Sequence, residues 1–250
     1  MKRFVILVLV LFSVQLQAED VNALFLKANK AYQAGNYTEA IGLYEQIATQ
    51  NKHSAAFYFN LGNAYYKNNE LGKSILNYER GLLLKPRFKD LRYNLDLANN
   101  QLKDNIVPVK PFVVATVWKG AYNLMQPIVW GILGVILLLL SVGGVGIWLL
   151  NKDRQQKKRG FYSAIAMAFL GFLFLILGYN RDIAIHQNQD AVIIEAVIDL
   201  KDGADEDSNT IQTLHSGTKI RLIEIIGDWQ KVRLSNGEVG WVLLKGIEKI

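Results

Sequence analysis

The sequence predicts a multidomain protein made of an all-α helical repeat, a two-helix transmembrane hairpin and a small all-β barrel. Three observations predict these parts. A 34-residue periodicity runs through the first part of the chain, two long uncharged apolar runs occupy its middle, and short stretches of alternating hydrophobic residues end it. The 250 residues are enough for two small domains and the membrane segments between them.

The composition excludes several classes of function. The net charge is +6, but residues 151–160 contribute five Lys or Arg against one Asp, and no other part is strongly basic. Nucleic-acid binding therefore has little support. The chain has no Cys. This rules out disulfides, thiolate metal sites, a cysteine nucleophile and attachment through a lipidated Cys.

Residues 1–18 read MKRFVILVLVLFSVQLQA and have the order of a secretory signal peptide. Lys2 and Arg3 precede an apolar run, and the small residue Ala18 follows it. The apolar run is short for a membrane span. Leu16 stands where a small residue usually precedes the cleavage site. We therefore predict a cleaved signal peptide, with an uncleaved anchor as the alternative.

Residues 19–107 carry the periodicity. A shift of 34 residues places small residues on small ones and large residues on large ones, as for Ala28 with Gly62 and Tyr44 with Tyr78. In this pattern the segment resembles the tetratricopeptide repeat. The resemblance implies helical hairpins that approach closely at the small residues and bury their faces by stacking. The predicted parts are two units and a closing helix: 21–54, 55–88 and 89–105.

The first helix of each unit carries aromatic and amide residues on one face. This row consists of Phe25, Asn29, Tyr32, Phe59, Asn63, Tyr66 and Tyr93. In the tetratricopeptide family these positions line the concave groove that holds a partner peptide. The resemblance thus implies amides that hydrogen-bond a peptide backbone and aromatic rings that anchor it. The alternative is that the aromatic rings pack against neighbouring helices or against the membrane-proximal segment.

Two apolar runs, 128–150 and 161–179, have no charge and are long enough as helices to cross a bilayer. Small residues in both runs permit close helix contact, either within one chain or between chains. The connector before them, 108–127, is mainly apolar and contains Pro108 and Pro111. It is predicted to be an interfacial helix on the membrane surface or an N-terminal extension of the first span.

The basic segment 151–160 predicts the orientation of the hairpin. Short loops rich in Lys and Arg stay in the cytoplasm, so this loop is expected there. The parts before residue 128 and after residue 179 are then expected on the opposite side of the membrane, outside the cytoplasm. The export signal predicts the same side for the N-terminal part. Attraction to lipid head groups also explains the cations and favours the same face.

Residues 190–250 change to the period of β-strands, with five short strands predicted and a hairpin turn at Asn236-Gly237. Gly217-Thr218, Trp229 and Gly240-Trp241 give this segment a resemblance to the bacterial SH3 family. The resemblance implies a small barrel. Trp229 and Trp241 are predicted to form a stacking surface for a wall peptide or an extended protein segment, or else to be packing residues of the barrel.

The remaining ionisable groups predict no catalytic or metal site. An acidic loop lacks the ligand ladder of a calcium loop and is interpreted as solvated. Its members are Asp202, Asp205, Glu206 and Asp207. His53, His186 and His215 lie in different segments and are interpreted as structural or surface residues. We therefore expect no cofactor and no enzymatic activity.

The order of signal peptide, two helical repeats, two spans and terminal barrel resembles the BatE-type proteins of the bacterial aerotolerance operon. That resemblance covers the full chain. It implies a non-enzymatic inner-membrane scaffold whose protein partners are membrane-bound von Willebrand A-type proteins. The alternative function is a membrane receptor that senses or binds peptidoglycan through the barrel.

Overall fold

The computed structural model describes residues 21–49 and 53–250, so the signal peptide predicted at 1–18 lies outside the described residues. The described chain forms two compact units. One combines the repeat, up to Val109, with Gln189–Ile250, and the other is Lys110–Asn188. The fold class agrees with the prediction: helical repeats, two long apolar helices and an antiparallel β-domain.

The repeat consists of helices joined by short turns. Ser54 caps one of them, because its hydroxyl accepts a hydrogen bond from the Phe57 amide at 3.1 Å. Gly35 and Asn69 adopt positive φ in the turns inside the two units, at 82° and 62°. The helices are α1 (21–33), α2 (Tyr37–Ala48), α3 (Ala55–Lys67), α4 (Leu71–Leu84) and α5 (Lys89–Asn99).

The small residues of the repeat lie where helices approach most closely. A Cβ added at Gly62 would lie 2.6 Å from the Tyr78 ring, and one added at Gly81 would lie 2.4 Å from Leu91. The buried Tyr78 ring leaves no room for a Cβ at position 62, so α3 packs this closely on α4 because that residue is glycine, whereas the Leu91 methyl could move aside for a Cβ at position 81. The close approach at Gly62 is what the 34-residue pattern predicts.

The β-domain has seven strands instead of the five predicted. The sheet order is β3-β2-β6-β5-β4-β1-β7, and every pair is antiparallel. The two shortest strands lie near the two ends of the domain and pair with each other, and with four and three residues they are too short to show an alternating pattern. Their bounds are β1 (Asp190–Ile193), β2 (Val197–Lys201), β3 (Thr210–His215), β4 (Lys219–Ile226), β5 (Trp229–Leu234), β6 (Val239–Leu243) and β7 (Ile247–Lys249).

The repeat and the barrel share one hydrophobic cluster. Ile75 and Tyr78 of α4 and Leu91 of α5 are buried together with Val192 of β1. The C-terminal Ile250 packs against the same cluster. A helical stack needs a cover for its last unit. Here strands from the far end of the chain contribute that cover, where the repeat pattern would place a further helix.

The second unit is a helical hairpin preceded by a short helix. The helices are α6 (Val113–Tyr122), α7 (Pro127–Leu150) and α8 (Arg154–His186). Glycines lie between α7 and α8: a Cβ added at Gly134 would lie 3.0 Å from the Gly171 carbonyl oxygen. The Ser141 hydroxyl donates to the Ala164 carbonyl across the same contact at 2.9 Å. Gly134, Gly144 and Ser141 thus serve contacts within one chain, whereas Gly131 and Gly143 have no atom within 4 Å of an added Cβ.

The hairpin differs from the prediction at its turn. Residues 151–160 were predicted to be a loop, but α8 already begins at Arg154, and the span predicted at 161–179 is the middle of a 33-residue helix. The Asp153 side chain caps α8 by accepting from the Gln156 amide at 3.0 Å. The Arg, Gln and Lys residues that follow are good helix formers. Both α7 and α8 are long and apolar enough to cross a membrane.

Candidate functional site

The first asparagine of the predicted groove is used inside the helix stack. The Asn29 side-chain oxygen accepts from the Tyr44 hydroxyl at 2.5 Å and from the Asn60 amide nitrogen at 2.9 Å. Burial raises the pKa of Tyr44 to about 12, so this hydroxyl remains a donor at physiological pH. Asn29 therefore ties α1 to both α2 and α3.

The second asparagine repeats this arrangement 34 residues later. The Asn63 oxygen accepts from the Tyr78 hydroxyl and from the Asn94 amide nitrogen, both at 2.7 Å. Burial raises the pKa of Tyr78 to about 12. Among the described residues, the side-chain nitrogens of Asn29 and Asn63 have no hydrogen-bond partner, so each can still donate to a peptide carbonyl.

The aromatic residues of the row differ in how far they are available to a ligand. Four of them contact other side chains of the repeat. The ring pairs are Phe25 with Tyr44 at 5.9 Å, Tyr32 with Tyr37 at 5.5 Å and Phe59 with Phe88 at 5.2 Å, and the Tyr66 hydroxyl accepts from Gln101 at 2.5 Å. Tyr93 is different, because 65% of it is exposed. The groove remains a proposal in which Tyr93 is the most accessible aromatic residue.

The two tryptophans of the barrel lie on one outer face, together with two lysines. Trp241 is 8% exposed, and the Lys231 ammonium lies 5.3 Å from the centre of its ring. Trp229 is partly exposed, and the Lys201 ammonium lies 5.8 Å from its ring. The strand register explains the grouping, because both Lys201 and Lys231 stand opposite Trp241. Trp229 is therefore the tryptophan that a ligand can reach.

A carboxylate that the sequence did not single out joins the repeat to the barrel. Asp104 follows α5, and only 9% of its side chain is exposed. It accepts hydrogen bonds from the His215 backbone amide, the His215 Nδ1 and the Thr218 hydroxyl, each at 2.6 Å. Burial opposes its ionisation, but the bonds from Thr218 and His215 outweigh burial and lower the pKa of Asp104.

The residues after Asp104 extend this contact along the barrel. Ile106 packs against the hydrophobic core of the barrel, and the Val109 amide donates to the Ser235 carbonyl at 2.9 Å. We call residues 104–109 the strap. His215, interpreted from the sequence as structural or surface, is the barrel residue to which the strap is anchored. The barrel core is thus completed by a segment that precedes the apolar helical hairpin.

Ion pairs also join the repeat to the barrel. The Lys219 ammonium of β4 lies 2.8 Å from Glu79 of α4 and 3.5 Å from Asp190 of β1. Burial lowers the pKa of Lys219, but the two carboxylates outweigh it and the net effect is a raised pKa. Arg80 of α4 pairs with Glu248 of β7 at 3.0 Å. In the sequence these residues look like ordinary surface charges. No motif or spacing near them indicates that their partners lie more than 100 positions away.

Two carboxylates of the acidic loop accept hydrogen bonds from within the loop. Asp202 accepts from the backbone and side-chain nitrogens of Asn209, both at 3.0 Å. Asp205 accepts from the Asp207 amide at 3.1 Å. Within the described residues, no group of three or more His, Asp or Glu is placed to hold a metal ion. The hydrogen bonds of Asp202 and Asp205 thus serve to shape the loop.

Asp104, His215 and Thr218 do not form a catalytic triad. In a triad the imidazole lies between the acid and the hydroxyl, whereas here His215 and Thr218 both bind the same carboxylate. The other two histidines are separate from this cluster: His53 stacks on Phe57 at 4.7 Å, and His186 pairs with Asp182 at 3.0 Å.

Comparison with known families identifies both domains. Residues 31–86 match the family model of the tetratricopeptide repeat, and residues 196–248 match that of the bacterial SH3 domain. A search of curated proteins finds no match to the chain. The repeat indicates protein interaction and the SH3 domain indicates cell-wall binding, and both are typically binding modules without catalytic activity.

Proposed function

We propose that the protein is a non-enzymatic scaffold of the bacterial inner membrane whose joined repeat and barrel bind protein partners in the periplasm. The observation that carries this proposal is the shared cluster of α4, α5 and β1, closed by the Asp104 strap. It joins the two binding modules in one compact unit. A partner can therefore contact both modules in a single geometry.

The joined unit also supports the proposed membrane topology. The repeat precedes the two long apolar helices and the barrel follows them, so both must lie in the same compartment in order to pack together. An even number of spans satisfies this condition. Five cations at 152–159 lie where α7 ends and α8 begins, which favours the cytoplasm for that end. The joined unit is then periplasmic.

The proposed partners are membrane-bound von Willebrand A-type proteins, acting with this scaffold in an aerotolerance or envelope-stress complex. The resemblance to BatE-type proteins supports this partner class. The exposed Tyr93 provides the position at which to test it. A photo-crosslinking amino acid at residue 93 in the full-length protein should capture such a protein in native membranes. The same amino acid at Gln46, which is exposed on α2 outside the row, is the control.

Equal crosslinking at positions 93 and 46, or capture of unrelated proteins at both positions, would contradict the proposal that the row binds a partner. Recovery of a partner at position 93 that has no von Willebrand A-type domain would retain the binding function and remove the partner class. The Asn63→Ala substitution is not a clean test of partner binding, because Asn63 also holds the helices together. Loss of the crosslink in that variant would report on helix packing as well as on binding.

A peptidoglycan receptor is the second candidate, and the tryptophan and lysine face of the barrel favours it. Trp229 is partly exposed and lies beside the Lys201 ammonium, and the Lys231 ammonium lies over the neighbouring Trp241 ring, which suits a ligand with both an apolar face and carboxylates. The test is retention of the full-length protein on insoluble peptidoglycan. Trp229→Ala with Lys231→Gln should abolish retention, whereas Arg221→Gln, on the neighbouring strand, should not. Absence of retention in the unmodified protein would remove this candidate.

The full-length chain is needed in this assay. An isolated barrel would lack Asp104 and Ile106, which bind its edge and pack on its core. Trp241 is unsuitable as the test position, because it is buried and its loss would change packing as well as binding.

A further inference from the structure

The helix α6 exposes apolar side chains that nothing in its own unit covers. None of its residues is buried. Phe112, directly before it, is 89% exposed, and Val114 is 80% exposed. Val113 and Val117 are also exposed. On a helical wheel the three valines lie within about 100° of one another, so they form one stripe.

Such a helix is not stable in water on its own. An isolated helix shorter than about 12–15 residues is marginal even with favourable residues, and α6 has ten. Its exposed apolar stripe adds no stability unless something apolar covers it. The opposite side carries Thr116 and Lys119, which suit a polar environment. The helix therefore has one side for an apolar phase and one for a polar phase.

The position of α6 identifies the phase. It is separated from α7 by residues 123–126 only, and the Trp130 indole of α7 donates to the Tyr122 carbonyl at 3.2 Å. This bond holds α6 at the N-terminal end of the first long apolar helix. From residue 105 to 152 the chain has no acidic residue, and Lys110 and Lys119 flank the stripe. Cations beside an apolar stripe suit a surface with anionic head groups.

We propose that α6 is an interfacial helix whose valine stripe enters the lipid at the membrane surface where α7 begins. The partner is the lipid bilayer itself, at the boundary of head groups and acyl chains. This proposal rests on the membrane-spanning role of α7 and α8 given above. Its consequence is that the chain before the hairpin is held along the membrane surface instead of extending from it.

Because the chain has no Cys, single substitutions place one spin label at a chosen site. The full-length protein in lipid nanodiscs is labelled at Val114→Cys, at Thr116→Cys on the opposite side of α6, or at Leu139→Cys, which is exposed in the middle of α7. Collision rates are measured with oxygen, which concentrates in lipid, and with a nickel chelate, which stays in water. Position 114 should collide severalfold less often with the chelate than position 116 does.

The Leu139 label distinguishes failure of this proposal from failure of the membrane assignment. Exposure of 114 and 116 alike to the chelate, with 139 in lipid, would overturn the interfacial helix and leave the spans intact. Exposure of all three to the chelate would overturn both. A label at 114 that is immobile and shielded from both reagents would show a protein partner, such as a second copy, and would also overturn the proposal.

Discussion

Substitution of Asp104 by Ala removes the carboxylate that anchors the strap to the barrel. The His215 amide, the His215 imidazole and the Thr218 hydroxyl all lose their acceptor. Each buried donor left without a partner costs about 1–3 kcal/mol. The His215 side chain is 30% exposed, so water can accept the hydrogen bond of the imidazole. The His215 amide and the Thr218 hydroxyl are the two donors left without a partner. The expected loss of stability at this contact is about 2–6 kcal/mol.

The assay is hydrogen exchange of the full-length protein, followed at the end of β3. A loss of about 2.8 kcal/mol corresponds to about 100-fold faster exchange of the His215 amide if exchange follows local opening. Asp199→Ala is the matched control, because Asp199 accepts one bond, from Thr213 at 3.0 Å, in an exposed part of the same barrel. Exchange at His215 that is equally fast in both variants would refute the role of Asp104.

The same contact predicts a dependence on pH. The native pKa of Asp104 is lowered, so its contribution to stability is complete above the ordinary Asp value of about 3.9. That contribution is lost as the pH falls through the lower native pKa. The difference in melting temperature between the unmodified protein and Asp104→Asn should therefore be constant near neutral pH and shrink in acid. A difference that grows in acid would have the wrong sign.

Three further substitutions test the packing. Gly72→Ala should destabilise the joined repeat and barrel by about 1–3 kcal/mol in thermal unfolding, because its Cβ would meet barrel atoms at 2.1 and 2.9 Å. Gly42→Ala is the control and should not destabilise the protein, because no atom lies within 4 Å of its Cβ. Gly144→Val should lower the melting temperature of the hairpin in detergent, whereas the adjacent Gly143→Val, which points into open space, should leave it unchanged. Asn63→Ala should cost about 1–3 kcal/mol by removing an acceptor shared by two donors, and an unchanged melting temperature would contradict its bridging role.

The sequence predicted the parts of the fold whose signals are local. Gly62 lies at a close helix contact, as the 34-residue pattern predicts. The turn at Asn236-Gly237 joins β5 to β6, with Gly237 at φ 94°. These signals persist in the structure because each depends on neighbours within one repeat or one hairpin.

The parts that could not be predicted depend on distant residues or on competing local preferences. Asp104 lies 111 positions from His215, and no periodicity links them. The second span was predicted to begin at residue 161, where the charged residues end, but α8 begins at Arg154. The charged residues between these positions interrupt the apolar run but are good helix formers. The inward use of Asn63 was also missed, since an amide on a helix face looks the same whether it binds a ligand or a neighbouring helix.

The most direct test of the central claim is a zero-length carbodiimide crosslink in native membranes. Glu79 and Lys219 lie 2.8 Å apart although the two long apolar helices separate them in the sequence. Mass spectrometry should find an amide bond between them at a yield similar to that for Glu70 and Lys73, a local pair at 2.9 Å. Lys219→Gln should remove only the first product. Detection of the local crosslink without the distant one would show that the repeat and the barrel do not form one unit.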